Sequence, residues 1–403
     1  MKGIAMNQKL PLQGMKVLDF TRVLAGPFAT MILGDMGAEV IKVEPPQGDE
    51  SRTWPPKLAR GESGYYMALN RNKQSITLNL KHPRAREIAV QLAEKADVVI
   101  ENFTPGVAKK LGIDYDTIAA KNPAVIYCAV SGFGQTGPYR DKKAYDPIIQ
   151  GMTGLMSITG ERTRSPVKVG IPITDLVAAI QSVNAIMAAY VHRMQTGEGQ
   201  FIDVALFDST LSLLTIMAMD YFATGKPPER WGMDHIHRVP ARAFQTRDGR
   251  YVQVAATSDT MYPDFCRVLD LEHLIADPRF RTNADRVRNR DIIMPILEAR
   301  MLEKDSTEWL SLFEAAGIPC GPILNMEEVF QDPHVAARQM LFSMEHPTEG
   351  SIPQIGFPYK FSRTPLQARI CPPRLGADTS AVLSDWLEMQ AADIEGLRRE
   401  GAI

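Results

Sequence analysis

The sequence predicts an α/β fold: a mostly parallel sheet covered by helices on both faces, with a smaller α+β unit attached. Short apolar runs of strand length alternate with helical periodicities through the first half of the chain, as in linked β-α-β units. Polar, glycine-bearing turns follow several of these runs, and sheets of this kind bind ligands beyond the carboxyl ends of their strands. The texture changes after Thr224-Gly225-Lys226-Pro227-Pro228, where a hairpin pattern replaces the alternation.

In chain order, Met15-Lys16-Val17-Leu18-Asp19-Phe20 reads as a strand. Ala25-Gly26-Pro27 then turns into a helix over 27–36 with proline at its first position. Gly34 and Gly37 punctuate that helix and a second strand covers 39–44, so a right-handed crossover is expected. The unit looks like a dinucleotide fold, including the acidic Glu44. Yet Leu24-Ala25-Gly26-Pro27 is not G-x-G-x-x-G, and Pro27 removes an amide, which argues against a nicotinamide cofactor. Residues 45–74 form a polar excursion rich in Pro and Gly. Strands over 75–80, 97–101 and 124–130 alternate with helices over 84–95 and 114–121. Three polar turns, 24–27, 102–106 and 131–138, fall at strand carboxyl ends.

A long helix follows, with apolar residues at 176, 177, 180, 183, 186, 187, 190 and 191 and a stop at Thr196-Gly197. Pro172 forbids helix before it, and Ile171 and Ile173 lead in as extended chain. Asp175 is therefore expected at the N-cap or in the first turn, where free N–H groups favour an ionised carboxylate at pH 7. Beyond it come a strand over 201–207 and an apolar helix capped by Asp208-Ser209 and running to Phe222. Residues 242–254 form a hairpin turning at Asp248-Gly249. Helices over 260–315, a hinge at 317–322 and a Pro- and Gly-rich tail with a helix near 380–390 complete the chain. The expected domains are 1–225, completed by 331–403, and a small domain over 226–330.

At 403 residues, 45% hydrophobic and 23% charged, the composition is that of an ordinary globular protein. A net charge of -2 argues against nucleic-acid binding. Cys128, Cys266, Cys320 and Cys371 are far apart with no C-x-x-C, so neither a disulfide framework nor a zinc site is expected, and the compartment is expected to be reducing. The start, MKGIAMNQKLPLQG, has no apolar core of a signal peptide, and the apolar run over 204–219 is interrupted by Asp208. A cytoplasmic protein with no membrane partner is the expectation. There is no G-x-S-x-G, P-loop or H-E-x-x-H, and His235 and His237 lack a third metal ligand. Covalent chemistry would therefore fall to a carboxylate.

The loop Ser131-Gly132-Phe133-Gly134-Gln135-Thr136-Gly137-Pro138 exposes amides suited to an oxyanion. Ala144-Tyr145-Asp146-Pro147 follows, then Asp175, then Arg193-Met194-Gln195-Thr196-Gly197-Glu198-Gly199-Gln200-Phe201-Ile202-Asp203-Val204. With the segments 17–27, 37–44, 70–76 and 101–106, this ordered set resembles the class III coenzyme A transferases, the family of formyl-CoA transferase and L-carnitine CoA-transferase. The resemblance is dense over 10–215 and thinner through Asp248-Gly249 and 316–322.

It implies a Rossmann-like large domain closed by the C-terminal return, a small domain shaping the acyl pocket, and an interlocked homodimer. It implies that Asp175 attacks an acyl-CoA thioester to give an acyl-aspartyl anhydride, then an aspartyl-CoA thioester, which a second carboxylic acid resolves. Coenzyme A is then a substrate, with no permanently bound cofactor and no metal. The implied CoA contacts are Leu24, Ala25, Leu78, Asn79, Leu80, Lys81, Asn102, Phe103, Thr104, Lys110, Lys142, Lys143, Ala144 and Tyr145, with Lys81, Lys110 and Lys143 facing phosphates. Leu24 and Pro45 depart from residues that some members carry. Asp146 corresponds to an acidic neighbour of the active site, and equally suits a turn cap before Pro147.

An α-methylacyl-CoA racemase, on the same fold, is the alternative; it places a His-Asp pair where Tyr145-Asp146 stands and a glycine run where Leu176-Val177-Ala178-Ala179 follows. A CoA-binding module without catalysis is the third reading. The run of four glycines typical of formyl-CoA transferases is absent. Arg238, Arg242 and Arg247 are expected to receive a distal carboxylate, which points to succinyl-CoA on one side.

Overall fold

In the computed structural model, which describes residues 9–403, six segments satisfy their backbone groups by pairing edge to edge. Residues 1–8, on which part of the leader expectation rests, lie outside the described residues. The strands are β1 (Lys16–Asp19), β2 (Glu39–Glu44), β3 (Lys73–Thr77), β4 (Val98–Glu101), β5 (Ile126–Ser131) and β6 (Gln200–Ala205). They form one parallel sheet in the order β3-β2-β1-β4-β5-β6, with Leu18 opposite Ile41 and Val99, and Cys128 opposite Ile100 and Ile202.

Alternation along each strand builds two cores. Val17, Val98 and Ile126 face α1 (Ala25–Asp35) and the long helix described below, burying Ala29, Leu33, Ala178, Val183 and Ile186. Leu18, Val99 and Tyr127 face the other way, against α3 (Pro83–Lys95), α4 (Val107–Leu111) and α5 (Tyr115–Ala119), whereas α2 (Gly64–Met67), before β3, packs Tyr66 and Met67 against Met344 and Ile352. Then come α6 (Asp146–Met152), α7 (Ile173–Thr196), α8 (Leu206–Leu211) and α9 (Thr215–Thr224). Helix α7 is long and apolar enough, on length and composition alone, to cross a membrane; its Ala178, Val183 and Ile186 face is instead packed into the core. Gly197 ends it in the left-handed region at φ 79°, where a side chain would be strained.

The contacts divide the chain into two units: 1–155 with 168–225 and 336–403, and 156–167 with 226–335. The second holds the antiparallel sheet β7 (Ala241–Gln245), β8 (Tyr251–Ala255) and β9 (Cys320–Pro322). Against it lie α10 (Tyr262–Val268), α11 (Asn283–Arg288), α12 (Arg290–Met301) and α13 (Ser306–Ala315), with α14 (Met326–Gln331) and α15 (Pro333–Ala337) after β9. Its core stacks Phe313 between Phe265 and Trp309, centroids 5.6 and 5.7 Å away. The first unit resumes with the hairpin β10 (Leu341–His346) and β11 (Gly350–Ile355). It ends with α16 (Thr379–Leu387) and α17 (Ala391–Arg399), whose Val382, Leu383, Trp386 and Leu397 complete the second core layer.

Several expectations shift. Helix α1 starts two residues before Pro27, which sits in the first turn where its missing N–H has no intrahelical partner anyway. Strand β3 covers 73–77, and Asn79 leaves the sheet because its N–H turns to the Ala402 carbonyl at 2.8 Å. Asp208 lies inside α8, which begins at Leu206 with no side-chain cap. The small unit takes in 156–167 besides the segment from 226, and the tail expected as coil contains the β10–β11 hairpin. Glu44, which mimicked a ribose ligand, is instead held by Arg52 at 2.6 and 2.7 Å and by the Ser75 hydroxyl at 2.6 Å.

Candidate active site

The three turns foreseen at the strand ends converge on one cavity of about 440 Å³ in the first unit. Its wall includes Leu24 and Ala25 after β1, Asn102, Phe103 and Thr104 after β4, and Ser131 and Gly132 after β5. Lys142, Lys143, Ala144, Tyr145 and Asp175 close it.

Local bonds hold these turns in place. The Asn102 side chain accepts from Arg22 N at 2.9 Å and donates to Arg22 O at 2.8 Å, tying the first turn to the second. The buried Glu101 carboxylate accepts from Phe103 N at 2.6 Å, and burial followed by the nearby Asp203 charge pushes Glu101 up to about 7. Val23, on the rim, has φ 69°, a strained conformation for a β-branched residue; its N–H meets the Asp49 carboxylate at 3.2 Å. At Gly132 an added Cβ would lie 2.4 Å from the Ala144 Cβ, so that turn needs glycine for close approach. Two amides of the glycine loop are already engaged: Gly134 N with Ser131 Oγ at 3.0 Å, and Gln135 N with Asp203 Oδ2 at 2.8 Å.

Asp175 is the third residue of α7, in its first turn. The cap comes from elsewhere in the chain: Asp146 Oδ1 accepts from Thr174 N at 2.9 Å and Thr174 Oγ at 2.8 Å. Asp146 Oδ2 accepts from Gln150 Nε2 at 2.6 Å, and Gln150 Oε1 accepts from Val169 N at 2.8 Å. This chain of bonds fixes both the approach to α7 and its first turn. The expectation that the helix N-terminus keeps Asp175 ionised is corrected. Burial first, and then the Asp146 charge, push its carboxyl up to about 7. Asp146 takes the capping N–H that would have favoured the charge on Asp175.

Three residues the sequence reading passed over also belong here. Arg22 and Arg140 line the cavity and add cations to Lys142 and Lys143. Tyr65 lies in the supposedly irregular excursion; burial, and then the charges of Asp175, Asp49 and Asp146, push its phenol up to about 12. Its only sequence signal is Ser63 followed by Gly64-Tyr65-Tyr66-Met67, a capped turn of helix.

Other expected contacts stand apart from this cavity. Leu78 is buried in the core, the Asn79 amide bonds Gly401 O at 3.2 Å, and Leu80, Lys81 and Lys110 are not among the lining residues. In the second unit, Arg242 is paired with Glu298 at 2.5 Å, and Arg247 with Asp305 and Glu308 at 2.9 and 3.2 Å. These two arginines are occupied, whereas Arg238 lines a separate cavity. His237 N donates to His235 Nδ1 at 3.1 Å, and no group of three or more His, Cys, Asp or Glu is placed to hold a metal ion among the described residues.

Comparison with known proteins bears on what this geometry serves. The model of CoA-transferase family III matches residues 12–379. The succinyl-CoA:glutarate CoA-transferase of Homo sapiens is 42% identical over 399 residues, spanning 99% of this chain and 91% of that protein. The succinate–glutarate CoA-transferase of Agrobacterium fabrum is 40% identical, spanning 94% and 96%. The acetyl-CoA:oxalate CoA-transferase of Acetobacter aceti is also 40% identical, spanning 88% and 90%. Among solved structures, a CAIB/BAIF family protein from Brucella suis superposes with a TM-score of 0.85 at 39% identity, covering 94% of this chain and all of that one.

Proposed function

This chain belongs to CoA-transferase family III, and from that premise we propose that Asp175 is the nucleophile that carries the acyl group and then coenzyme A between two carboxylic acids. The observation that carries the reading is a carboxylate in the first turn of α7 that opens into the 440 Å³ cavity with no compensating cation or hydrogen bond among the causes of its shift. An uncompensated buried charge costs stability, and such groups concentrate where chemistry needs them.

The Asp175 carboxylate attacks the donor thioester carbonyl, the C–S bond breaks, and an acyl-aspartyl anhydride and CoA thiolate result. The thiolate attacks the aspartyl carbonyl, releasing the donor acid as carboxylate and leaving aspartyl-CoA thioester. The acceptor carboxylate attacks that thioester, and the expelled thiolate then takes the acyl group from the second anhydride. Asp175 is regenerated and no net proton is consumed, so the thioester's energy is conserved. Arg22, Arg140, Lys142 and Lys143 supply positive charge for the CoA phosphates along the cavity wall. Leu24, Ala25, Asn102 to Thr104 and Ala144 to Tyr145 are the proposed neutral contacts. Leu78 to Lys81 and Lys110 would act only on a part of CoA that extends past the cavity.

The relatives named above are CoA-transferases named for succinyl-CoA or succinate with glutarate and for acetyl-CoA with oxalate, and a short dicarboxylic acid is the substrate class we assign here. The racemase alternative is set aside, since those relatives are CoA-transferases and the residue before Asp146 is tyrosine. A homodimer is part of the same reading. Helix α9 is apolar yet buries none of its residues, and Ile216, Met219 and Phe222 are 66, 63 and 71% exposed, a surface suited to a partner copy. We also place the enzyme in a reducing compartment, in keeping with four free cysteines. The test of the central assignment is Asp175→Ala. Turnover should fall by about 10³-fold or more while CoA binding, measured by calorimetry, persists; retained turnover excludes the mechanism.

A further inference from the structure

The turn from β1 into α1 is strained at a residue whose own chemistry does not favour it. Val23 stands at φ 69°, in the left-handed region where a β-branched side chain crowds the backbone. Glycine takes such a conformation freely, whereas valine must be held there by its surroundings. Three attachments grip the turn. Lys42 Nζ donates to the Thr21 carbonyl at 2.8 Å, and the Asn102 side chain clasps the Arg22 backbone. The Val23 N–H donates to the Asp49 carboxylate, 3.2 Å from Oδ2 and 3.4 Å from Oδ1, which acts on the strained residue itself.

Asp49 is in turn fixed from several sides. It is 1% exposed; its Oδ2 accepts from Lys42 Nζ at 2.9 Å, and its Oδ1 from Ser51 N and Oγ at 2.9 and 2.8 Å. Its own N–H donates to Glu44 Oε2 at 2.9 Å. Burial opposes the charge on Asp49, but Lys42 and the Ser51 donors outweigh it and hold the carboxyl down at about 2, so the acceptor stays ionised at neutral pH. The bond from Ser51 N caps the short turn Glu50–Thr53, and Glu50 lines the same cavity as Arg22, Leu24 and Ala25. Asp49 is not itself among the lining residues. Returning Val23 to an ordinary negative φ would swing Arg22 relative to α1, whose Ala25 and Ala29 are fixed in the core. The clasp on Arg22 or the Leu24–Ala25 wall would then have to give.

We infer that Asp49 is a positioning residue for coenzyme A: it pins the strained Val23 turn so that Arg22, Leu24 and Ala25 keep the form that the CoA portion of the thioester fits. The inference rests on the CoA-transfer reading and deepens it by naming what shapes this part of the wall.

The test is a double-mutant cycle on the full-length enzyme, with Asp49→Asn, Val23→Gly and the pair. CoA affinity is read by calorimetry, and the KM for acyl-CoA beside kcat. Asp49→Asn should weaken CoA binding and raise KM by about tenfold or more, with kcat at saturation changed far less, because a charged acceptor is lost from the turn while Asp175 is untouched. With glycine at position 23 the same change should weaken binding by about threefold or less, since glycine holds a positive φ without help. Equal losses in the two backgrounds overturn the inference, because Asp49 would then act on the fold and not through Val23. Asp49→Asn also strips the buried Lys42 of a partner, so Val23→Pro supplies a second reading with the Lys42–Asp49 pair intact. Proline can neither adopt a positive φ nor donate from its nitrogen. Val23→Pro should lose CoA affinity to a comparable degree, and unchanged affinity there overturns the inference as well. CoA titrated into the wild type separates the two levels: absence of binding defeats the CoA-transfer reading and this inference with it, whereas binding indifferent to these variants defeats the role of Asp49 alone.

Discussion

Two aspartates at the head of the sheet live under opposite electrostatic regimes. Asp19, at the end of β1, is fully buried, yet it accepts from Thr21 N at 2.8 Å and Thr30 Oγ at 2.6 Å and faces Lys73 Nζ at 3.3 Å. Burial opposes its charge, but Lys73, Lys42 and the two hydroxyls outweigh it and hold the carboxyl below its usual range. Asp175 is less deeply enclosed, and burial followed by the charge of another acid, Asp146, pushes it up to about 7. Burial alone therefore does not fix the charge of a carboxylate; its partners do. The first region spends its ion pairs on holding loops, since Lys42 links Asp49 at 2.9 Å to the Thr21 carbonyl at 2.8 Å beneath the strained Val23 turn. The second leaves its carboxylate without a cation to match it among the charges that shift it.

The sharpest way to break that comparison is to strip Asp19 of its partner. Lys73→Met should destabilise the protein by about 3–5 kcal/mol, because a fully buried carboxylate is left unpaired. Chemical denaturation at pH 7 checks it, and an unchanged midpoint would show that Asp19 is not held by charge.

Asp175→Asn should do the reverse. Because the folded carboxyl is raised above its ordinary 3.8, its contribution to stability is present below about 4 and is lost as pH rises through about 7. Removing the charge should therefore stabilise the fold at pH 8 by on the order of 1–3 kcal/mol and have little effect at pH 4. Thermal unfolding at the two pH values reads this; equal effects at both would mean that Asp175 is not charge-frustrated.

The smallest expected effect falls on Asp146. Asp146→Asn removes the like charge beside Asp175, so the acid limb of the kcat/KM profile, expected near 7 in the wild type, should move to lower pH. The Oδ1 cap on Thr174 is retained, but the bond from Gln150 Nε2 to Oδ2 is lost, so about 1 kcal/mol of stability should go with it. A profile that stays in place would assign the raised Asp175 carboxyl to burial alone.

Which of these features the sequence displayed follows from the range of the interactions. The strand over 98–101 was legible because a segment buried on both faces reads as an apolar run, and that over 39–44 because its β-branched Val40, Ile41 and Val43 follow the Gly37 break. Helix α7 was legible because 24 residues of regular spacing leave few alternatives. The convergence of the three turns followed from the topology of a parallel sheet. The charge state of Asp175 was not legible, because it depends on Asp146, 29 positions earlier, reaching across to cap Thr174. Lys42 looks like an ordinary strand residue and Lys73 falls in the segment read as an excursion, although both are fully buried. The β10–β11 hairpin was hidden by Pro353, which demotes a strand reading of the second segment. Tyr65 was hidden in a segment whose composition suggested no regular structure.

The most direct test of the central claim is mass spectrometry of the peptide bearing Asp175 after loading with acyl-CoA donor and quenching with hydroxylamine. An activated acyl or CoA ester at that side chain is captured as a hydroxamate on Asp175, about 15 Da heavier by the replacement of OH with NHOH. The account predicts this mass on that peptide, dependent on donor and absent from Asp175→Asn. An unmodified Asp175 peptide from enzyme that turns over under the same conditions would contradict it.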